Sequence, residues 1–171
     1  MRAGDVGPRE PPGHRGSRRR QPGAQVRRWC DAEDEPAEDV SEALYDKVLD
    51  VNLKGPFRLS VNVGTRMMKG EGGAIITVSS ISATKPSPGE APYAAAKAGI
   101  INLTASLASA FAPKVRVNCI VPGAFMTDIS KAWDIPTFER MAKSAYALQR
   151  GGRPDEIVGA ALYFATSASS Y

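Results

Sequence analysis

The chain has 171 residues, a formal net charge of +4 and a hydrophobic content of 43%, which suit about one globular domain and exclude disorder throughout. No apolar run approaches the ~20 residues that a membrane helix needs, and the N-terminal arginines precede no apolar stretch, so we expect no membrane contact and no secretory signal. Two cysteines are too few for a disulfide framework. We therefore expect a cytoplasmic location, and we predict no metal site.

The first 38 residues differ in composition from the rest of the chain. Residues 1–28 contain eight arginines and two acidic residues, whereas residues 31–39 contain six acidic residues. Prolines interrupt every helix that could form there and few side chains are apolar, so we expect a disordered tail and a structured domain over residues 39–171. A basic arm can bind nucleic acid, but this one lacks interleaved aromatic residues apart from Trp29, and we predict no nucleic-acid partner.

The first predicted element is a helix from Ser41 to about Met68. Ser41 is a good N-cap residue, and apolar residues follow at intervals of three to four. Pro56 lies inside this helix and has no backbone donor, which leaves the carbonyl of Asn52 without its helical hydrogen bond. We expect a kink there and a carbonyl able to hold a water molecule.

Two strands flank the next predicted helix. Residues 74–78 and 115–121 are short β-branched runs without alternation, which is typical of strands covered on both faces. Between them, Pro92 begins a helix over residues 93–111, because its missing donor costs nothing in a first turn. Strand, helix and strand in this order predict a parallel pair with a right-handed crossover, and therefore an α/β fold. Two further helices are predicted at about 137–149 and 154–166.

The candidate chemistry begins with Tyr93 and Lys97, which lie four residues apart on one helix face. A neighbouring ammonium favours the phenolate, so we expect Lys97 to lower the pKa of Tyr93 from its ordinary value of about 10 toward the working pH. A tyrosine so placed can act as a general acid or base on a carbonyl or alcohol oxygen. An isolated pair at this spacing is, however, usually an exposed helix face.

Further polar groups follow the two strands. Ser80 follows the first strand, and Pro122-Gly123 ends the second at the same edge of the sheet, where ligands bind in open parallel sheets. We expect Ser80 and Tyr93 to converge above this edge. Simple capping of the strand end is the alternative explanation for Ser79 and Ser80.

A series of motifs connects these residues: Val51–Gly55, Gly73–Ser80, Tyr93–Gly99, Val115–Asn118 and Pro122–Asp128. In order and spacing the series resembles the classical branch of the short-chain dehydrogenase/reductase family, over residues 38–171. The sugar-nucleotide epimerases share the tyrosine-lysine pair but fit the later motifs less well. The resemblance implies a partial Rossmann-like doubly wound parallel sheet that lacks its first βαβ half and its last strand.

The same resemblance implies an NAD(P)-dependent oxidoreductase that interconverts small alcohols and carbonyl compounds. Tyr93 is then the catalytic acid/base, Ser80 hydrogen-bonds the substrate oxygen, Lys97 also contacts the ribose of the cofactor, and Asn52 belongs to a proton relay beside the cofactor.

Three later residues would border the nicotinamide: Pro122, Gly123 and Thr127, with Thr127 reaching the carboxamide. Phe125, Met126, Trp133 and Phe138 suggest either an apolar substrate or a lid packed on the core.

The family's glycine-rich phosphate turn and the residue that selects NAD or NADP have no counterpart in the sequence. The glycines of the tail follow no apolar strand, and an Asn-Asn-Ala-Gly motif expected near Arg27–Cys30 is absent. We expect the tail to come from a truncated, frame-shifted or alternatively started reading of a longer gene. The alternative function is a non-catalytic fragment that at most forms homo-oligomers through helices 41–68 and 93–111, as family members pair across a dimer axis.

Overall fold

A computed structural model describes residues 39–86 and 88–171. The expectations for the tail and for Arg27–Cys30 lie outside these residues. The helices and strands, in chain order, are α1 (Glu42–Leu49), α2 (Gly55–Lys69), β1 (Gly73–Val78), α3 (Ala91–Phe111), β2 (Val115–Ile120), α4 (Ile135–Ala145) and α5 (Val158–Ala165).

The predicted first helix is continuous but contains a π-helical turn. The Ser41 hydroxyl accepts a hydrogen bond from the amide of Leu44 at 3.3 Å, as an N-cap should. Between α1 and α2, residues Asp50–Lys54 form the π turn, in which the amide of Gly55 donates to the carbonyl of Asp50. Pro56 follows directly in the first turn of α2, where its missing donor is tolerated. The expected disturbance is therefore a widened turn.

β1 and β2 pair in parallel, with a register that runs from Gly73 opposite Val115 to Val78 opposite Ile120. The predicted parallel pair is confirmed, whereas the predicted cover on both faces does not extend to the end of β1, where Val78 is 55% exposed. In the described part of the chain the sheet has two strands, so each strand has one unpaired edge. An apolar cavity of about 590 Å³ lies between β1 and α2.

The hydrophobic core forms where α3 packs on β2. Its most buried members are Leu107 and Phe111 of α3 with Val115 and Val117 of β2. Gly64 lets α2 approach closely, because a Cβ atom there would lie 2.3 Å from Cε2 of Phe111. This crossing fixes α2 and α3 relative to the sheet.

Among the described helices, α3 alone is long and apolar enough to cross a membrane by length and composition, which corrects the expectation that no such run exists. Its 21 residues have a mean hydropathy of 1.2 in the most apolar window. One face carries the core residues Ile100, Leu107 and Phe111, whereas much of the rest of its surface is alanine. A core helix with a small-residue outer face passes the same test.

The C-terminal helices differ slightly from the predicted bounds. α4 begins at Ile135 because Asp134 caps it, and a short 3-10 turn, Pro154–Ile157, precedes α5. Arg116 of β2 holds the end of α5, with its guanidinium donating to the carbonyls of Phe164 and Thr166, both at 3.0 Å. The sheet and the C-terminal helix are thus joined by charge-assisted hydrogen bonds.

Candidate functional site

Two hydrogen bonds hold the N-terminal half of α3 against the end of β1. The Lys97 ammonium donates to the carbonyl of Val78 at 3.1 Å, and the Ser79 hydroxyl donates to the carbonyl of Lys97 at 2.7 Å. Strand end and helix are therefore tied through both the backbone and the side chain of Lys97.

Tyr93 lies on the same face of α3, one turn before Lys97. The Lys97 nitrogen is 5.5 Å from the centroid of the Tyr93 ring, within the range of a cation–π contact. Both residues are half-buried. A phenol and an ammonium are thus adjacent at the carboxyl end of β1, as the spacing predicts, and a phenolate there would have a cation beside it.

Ser80 follows β1 in an extended conformation and caps the short 3-10 turn Ile81–Ala83. Its hydroxyl accepts from the amide of Ser82 at 3.2 Å and donates to the Ser82 hydroxyl at 3.3 Å. The capping alternative therefore describes the local geometry. A capping hydroxyl can exchange its donor bond for one to a substrate oxygen, so the catalytic role of Ser80 stays a prediction.

The chain after β2 runs beside the chain after β1. The amide of Ser79 donates to the carbonyl of Ile120, and the amide of Ile81 donates to the carbonyl of Pro122, both at 2.9 Å. Pro122-Gly123 and Ser80 thus lie at one edge of the sheet. A Cβ atom on Gly123 would meet nothing within 4 Å, so this backbone faces open space.

Thr127 is exposed and precedes the 3-10 turn Asp128–Ala132. Its carbonyl accepts from the amide of Ser130 at 3.0 Å and from the Ser130 hydroxyl at 2.7 Å. Its backbone is therefore anchored while its side chain lies at the surface.

Asn52 lies in the π turn, where its side-chain amide donates to the carbonyl of Val48 at 3.1 Å. The neighbouring Leu53 packs on α3 at Gly99, since a Cβ atom on Gly99 would lie 2.8 Å from Cδ1 of Leu53. Gly99 is two residues after Lys97. The π turn therefore packs near the Tyr93–Lys97 part of α3, while the relay role of Asn52 stays a prediction.

The aromatic residues after β2 form a cluster of their own. The rings of Trp133 and Phe138 have centroids 5.0 Å apart, and those of Phe138 and Tyr146 are 6.2 Å apart. Phe125 and Met126 pack closely on the glycine pair at 151 and 152. These contacts are those of packed aromatic side chains, and both interpretations of the cluster, lid and apolar substrate pocket, stay predictions.

The described residues fit the nicotinamide end of a dinucleotide better than its phosphate end. Tyr93, Lys97 and the open backbone at Gly123 lie at the carboxyl ends of the strands, where such a ring binds in this sheet class. The positive-φ glycines of the described chain, Gly72 and Gly73, lie at the opposite end of β1. In the described part of the chain they do not provide a phosphate cradle at the ligand edge.

A parallel β–α–β unit with polar groups at the carboxyl ends of its strands defines a Rossmann-like α/β protein. A family model described as Enoyl-(Acyl carrier protein) reductase matches residues 27–171. The chain belongs to the short-chain dehydrogenase/reductase family.

Curated relatives from distant organisms are similar to more than three quarters of the chain. The human protein "Dehydrogenase/reductase SDR family member 4" is 37% identical over 135 residues, covering 78% of this chain and 49% of the relative. The 3-oxoacyl-acyl-carrier-protein reductase FabG of Chlamydia trachomatis is 40% identical over 133 residues, covering 77% and 53%. The chain thus spans about half the length of the curated relatives it matches.

Solved structures show the same partial coverage. A putative gluconate dehydrogenase from Agrobacterium tumefaciens superposes with a TM-score of 0.77 at 32% identity, over 80% of this chain and 55% of that one. A putative NAD(P)-dependent gluconate 5-dehydrogenase from Beutenbergia cavernae, with bound NADP, gives 0.75 at 35% identity, over 80% and 56%. The partial Rossmann-like fold is therefore confirmed, and the Beutenbergia neighbour holds a nicotinamide dinucleotide.

Proposed function

We propose that this chain carries the acid/base and substrate-binding half of an NAD(P)-dependent oxidoreductase that interconverts a small alcohol and its carbonyl form. The adjacency of Lys97 and the Tyr93 ring at the carboxyl end of β1 carries the proposal. Family membership and the NADP-bound neighbour support it. NAD and NADP remain equal candidates, because the residues that choose between them lie outside the matched motifs.

In the reducing direction the Tyr93 hydroxyl gives its proton to the carbonyl oxygen of the substrate. A nicotinamide held beside Tyr93 and Gly123 would supply the hydride for the carbonyl carbon. Ser80 donates a hydrogen bond to the same oxygen as negative charge develops there, and the Lys97 ammonium stabilises the phenolate left on Tyr93. In oxidation the phenolate accepts the proton of the alcohol.

The remaining site residues would bind the cofactor and take no part in bond making. Lys97 would also contact the ribose, and Pro122, Gly123 and Thr127 would border the nicotinamide, with Asn52 relaying protons from the π turn. This assignment needs Lys97 for cofactor binding as well as for catalysis.

Lys97→Met tests the cofactor site. Purified chain is titrated with NADH and with NADPH, and the fluorescence of the reduced nicotinamide is followed. Saturable sub-millimolar binding that weakens at least ~10-fold in Lys97→Met supports the assignment, since a charge-assisted contact is lost. Lys114→Met is the matched control, because Lys114 also donates to backbone carbonyls but at the opposite end of the sheet.

Tyr93→Phe tests the chemistry separately. It keeps the ring and removes the proton donor, so turnover of carbonyl substrates should fall by two orders of magnitude or more while cofactor binding is retained. Equal turnover in Tyr93→Phe contradicts the mechanism. Absence of binding to either cofactor at millimolar concentration in the unmodified chain favours the non-catalytic alternative.

A homo-oligomer is the partner that the surface supports best. Small side chains line an exposed face of α3, and they allow another helix to approach closely. On α2, Phe57 and Leu59 are also exposed. The exposed small residues of α3 include Ala95, Ala98, Ala105 and Ser109.

We expect a dimer by light scattering and a monomer for Ala98→Glu, which places a charge in the contact. Ala160→Glu on the exposed face of α5 is the control, and it should leave the dimer intact. A monomeric parent chain contradicts this part of the proposal. A cytoplasmic location and the absence of nucleic-acid and membrane partners stay predictions from composition.

A further inference from the structure

Two hydroxyl bridges connect β1 and the residue that follows it to α3. One runs from the Ser79 hydroxyl to the Lys97 carbonyl at 2.7 Å, and the other joins the hydroxyls of Thr77 and Thr104, also at 2.7 Å. Side chains two apart on a strand lie on one face, which places Thr77 and Ser79 toward α3. Lys97 and Thr104 are seven residues apart, so the bridges are about two helical turns apart.

Ser79 and its neighbour Val78 hold Lys97 at opposite ends of that residue. Ser79, only 3% exposed, holds the Lys97 backbone, while the Lys97 ammonium donates back to the carbonyl of Val78 at 3.1 Å. Adjacent strand residues thus bind the backbone and the side chain of one lysine. A lysine side chain otherwise has many rotamers, so fixing both ends restricts where its charge can lie.

The buried side chains of α3 nearest to Lys97 are small. The buried residues beside Lys97 are Ala94 and Ala96, whose methyl groups provide few interlocking surfaces. The larger buried side chains of α3, Ile100 and Leu107, begin later in the helix. The Ser79 bridge therefore ties the Tyr93–Lys97 segment to the strand end, while Leu53 packs on the same part of α3 at Gly99.

We propose that Ser79 is a positioning residue: it holds Lys97, and through Lys97 the ammonium–phenol pair, at the end of β1. The inference rests on the proposed function for its catalytic meaning. Ser79 and Ser80 then have different tasks, with Ser79 binding the helix and Ser80 capping the following turn until a substrate oxygen arrives.

Nuclear magnetic resonance of the isolated chain tests the positioning without cofactor or turnover. The ε-methylene protons of Lys97 lie near the Tyr93 ring and should show a ring-current shift, assigned by its loss in Tyr93→Leu. Ser79→Ala should move this signal toward that of an exposed lysine, and Ser79→Thr, which keeps the hydroxyl, should restore it.

Thr104→Val is the matched control, because it removes the other hydroxyl bridge to α3. Both Ser79→Ala and Thr104→Val should lower the melting temperature, but only Ser79→Ala should move the Lys97 signal. If Ser79→Ala does not fold, Ser79→Cys keeps the volume with a weaker donor and should give a smaller shift in the same direction.

An unchanged Lys97 signal in the Ser79 variant, or an equal change in Thr104→Val, overturns the proposal. Because the readout is the geometry of Lys97, loss of cofactor binding or turnover in the Tyr93 and Lys97 variants leaves this test intact. Failure of the two proposals can therefore be distinguished.

Discussion

Replacing Gly64 by alanine should destabilise the fold at the α2–α3 crossing. The added Cβ would lie 2.3 Å from Cε2 of Phe111 and 2.7 Å from two further ring atoms. Phe111 belongs to the buried cluster with Leu107 and Val115, so its ring has little room to move. Overpacking a core costs typically ~1–3 kcal/mol, and this contact with a rigid ring belongs at the upper end.

Alanine also favours a helix by about 1 kcal/mol over glycine, which offsets part of the cost. The expected net loss for Gly64→Ala is therefore ~2 kcal/mol in the free energy of unfolding. Gly159→Ala is the matched substitution, since it lies in α5 and its Cβ would meet nothing within 4 Å. At that position only the higher helix propensity of alanine contributes, so we expect the free energy of unfolding to rise by ~0.5–1 kcal/mol.

Urea denaturation of the three proteins measures both differences under identical conditions. A double-mutant cycle with Phe111→Leu adds a local test, because a smaller, more flexible side chain should reduce the loss caused by Gly64→Ala. Stability of Gly64→Ala equal to or above that of the parent, together with the expected gain in Gly159→Ala, would refute the packing argument.

Three further substitutions test separate contacts. Hydrogen bonds from Arg150, at 2.6 and 2.7 Å, chiefly lower the pKa of Glu156 from 4.5 to about 2. The carboxylate therefore stabilises the fold above pH 4.5 and loses its effect as pH falls to about 2, so thermal melts of the parent and Glu156→Gln should differ at pH 6 and converge near pH 2. Asp134→Ala removes the N-cap of α4, where the hydroxyl and then the amide of Thr137 lower the pKa of Asp134, and hydrogen exchange should rise in α4 alone. Arg116→Lys replaces the planar guanidinium, which donates to two carbonyls at the end of α5, by an ammonium that cannot match this geometry. The free energy of unfolding, measured by urea denaturation, should fall by about 2 kcal/mol. An unchanged free energy would mean that these hydrogen bonds contribute little to stability.

The sequence was most informative where backbone chemistry is local. Ser41 as N-cap, the strand before Ser80 and the helix after Pro92 follow from capping, branching and proline geometry, and the structure has each of them. The bounds of α4 were less accurate, because the capping contact of Asp134 with Thr137 begins the helix two residues before its periodic pattern. Pro56 indicated a disturbance but did not specify its form.

Tertiary contacts were harder to anticipate. The four-residue spacing of Tyr93 and Lys97 predicts a shared face, which the structure has, but nothing in that spacing shows that Lys97 also reaches the Val78 carbonyl. Ser79 carried only a capping interpretation, since its bond to Lys97 joins residues 18 apart. The exposure of Val78 at the end of β1 depends on neighbouring strands, and residues 74–78 alone do not report on them.

The π turn before α2 changes which side chains of α1 and α2 share one side of the common helix axis. In an uninterrupted α-helix Val48 and Ser60, both buried, would lie about 120° apart around the axis. A π turn accommodates one extra residue, which removes about 100° of rotation and brings the two side chains within ~20° of each other. Deleting a single residue within 50–54 should therefore yield a continuous α-helix whose inward stripe remains aligned, whereas the same deletion within 57–63 would rotate Gly64 away from Phe111.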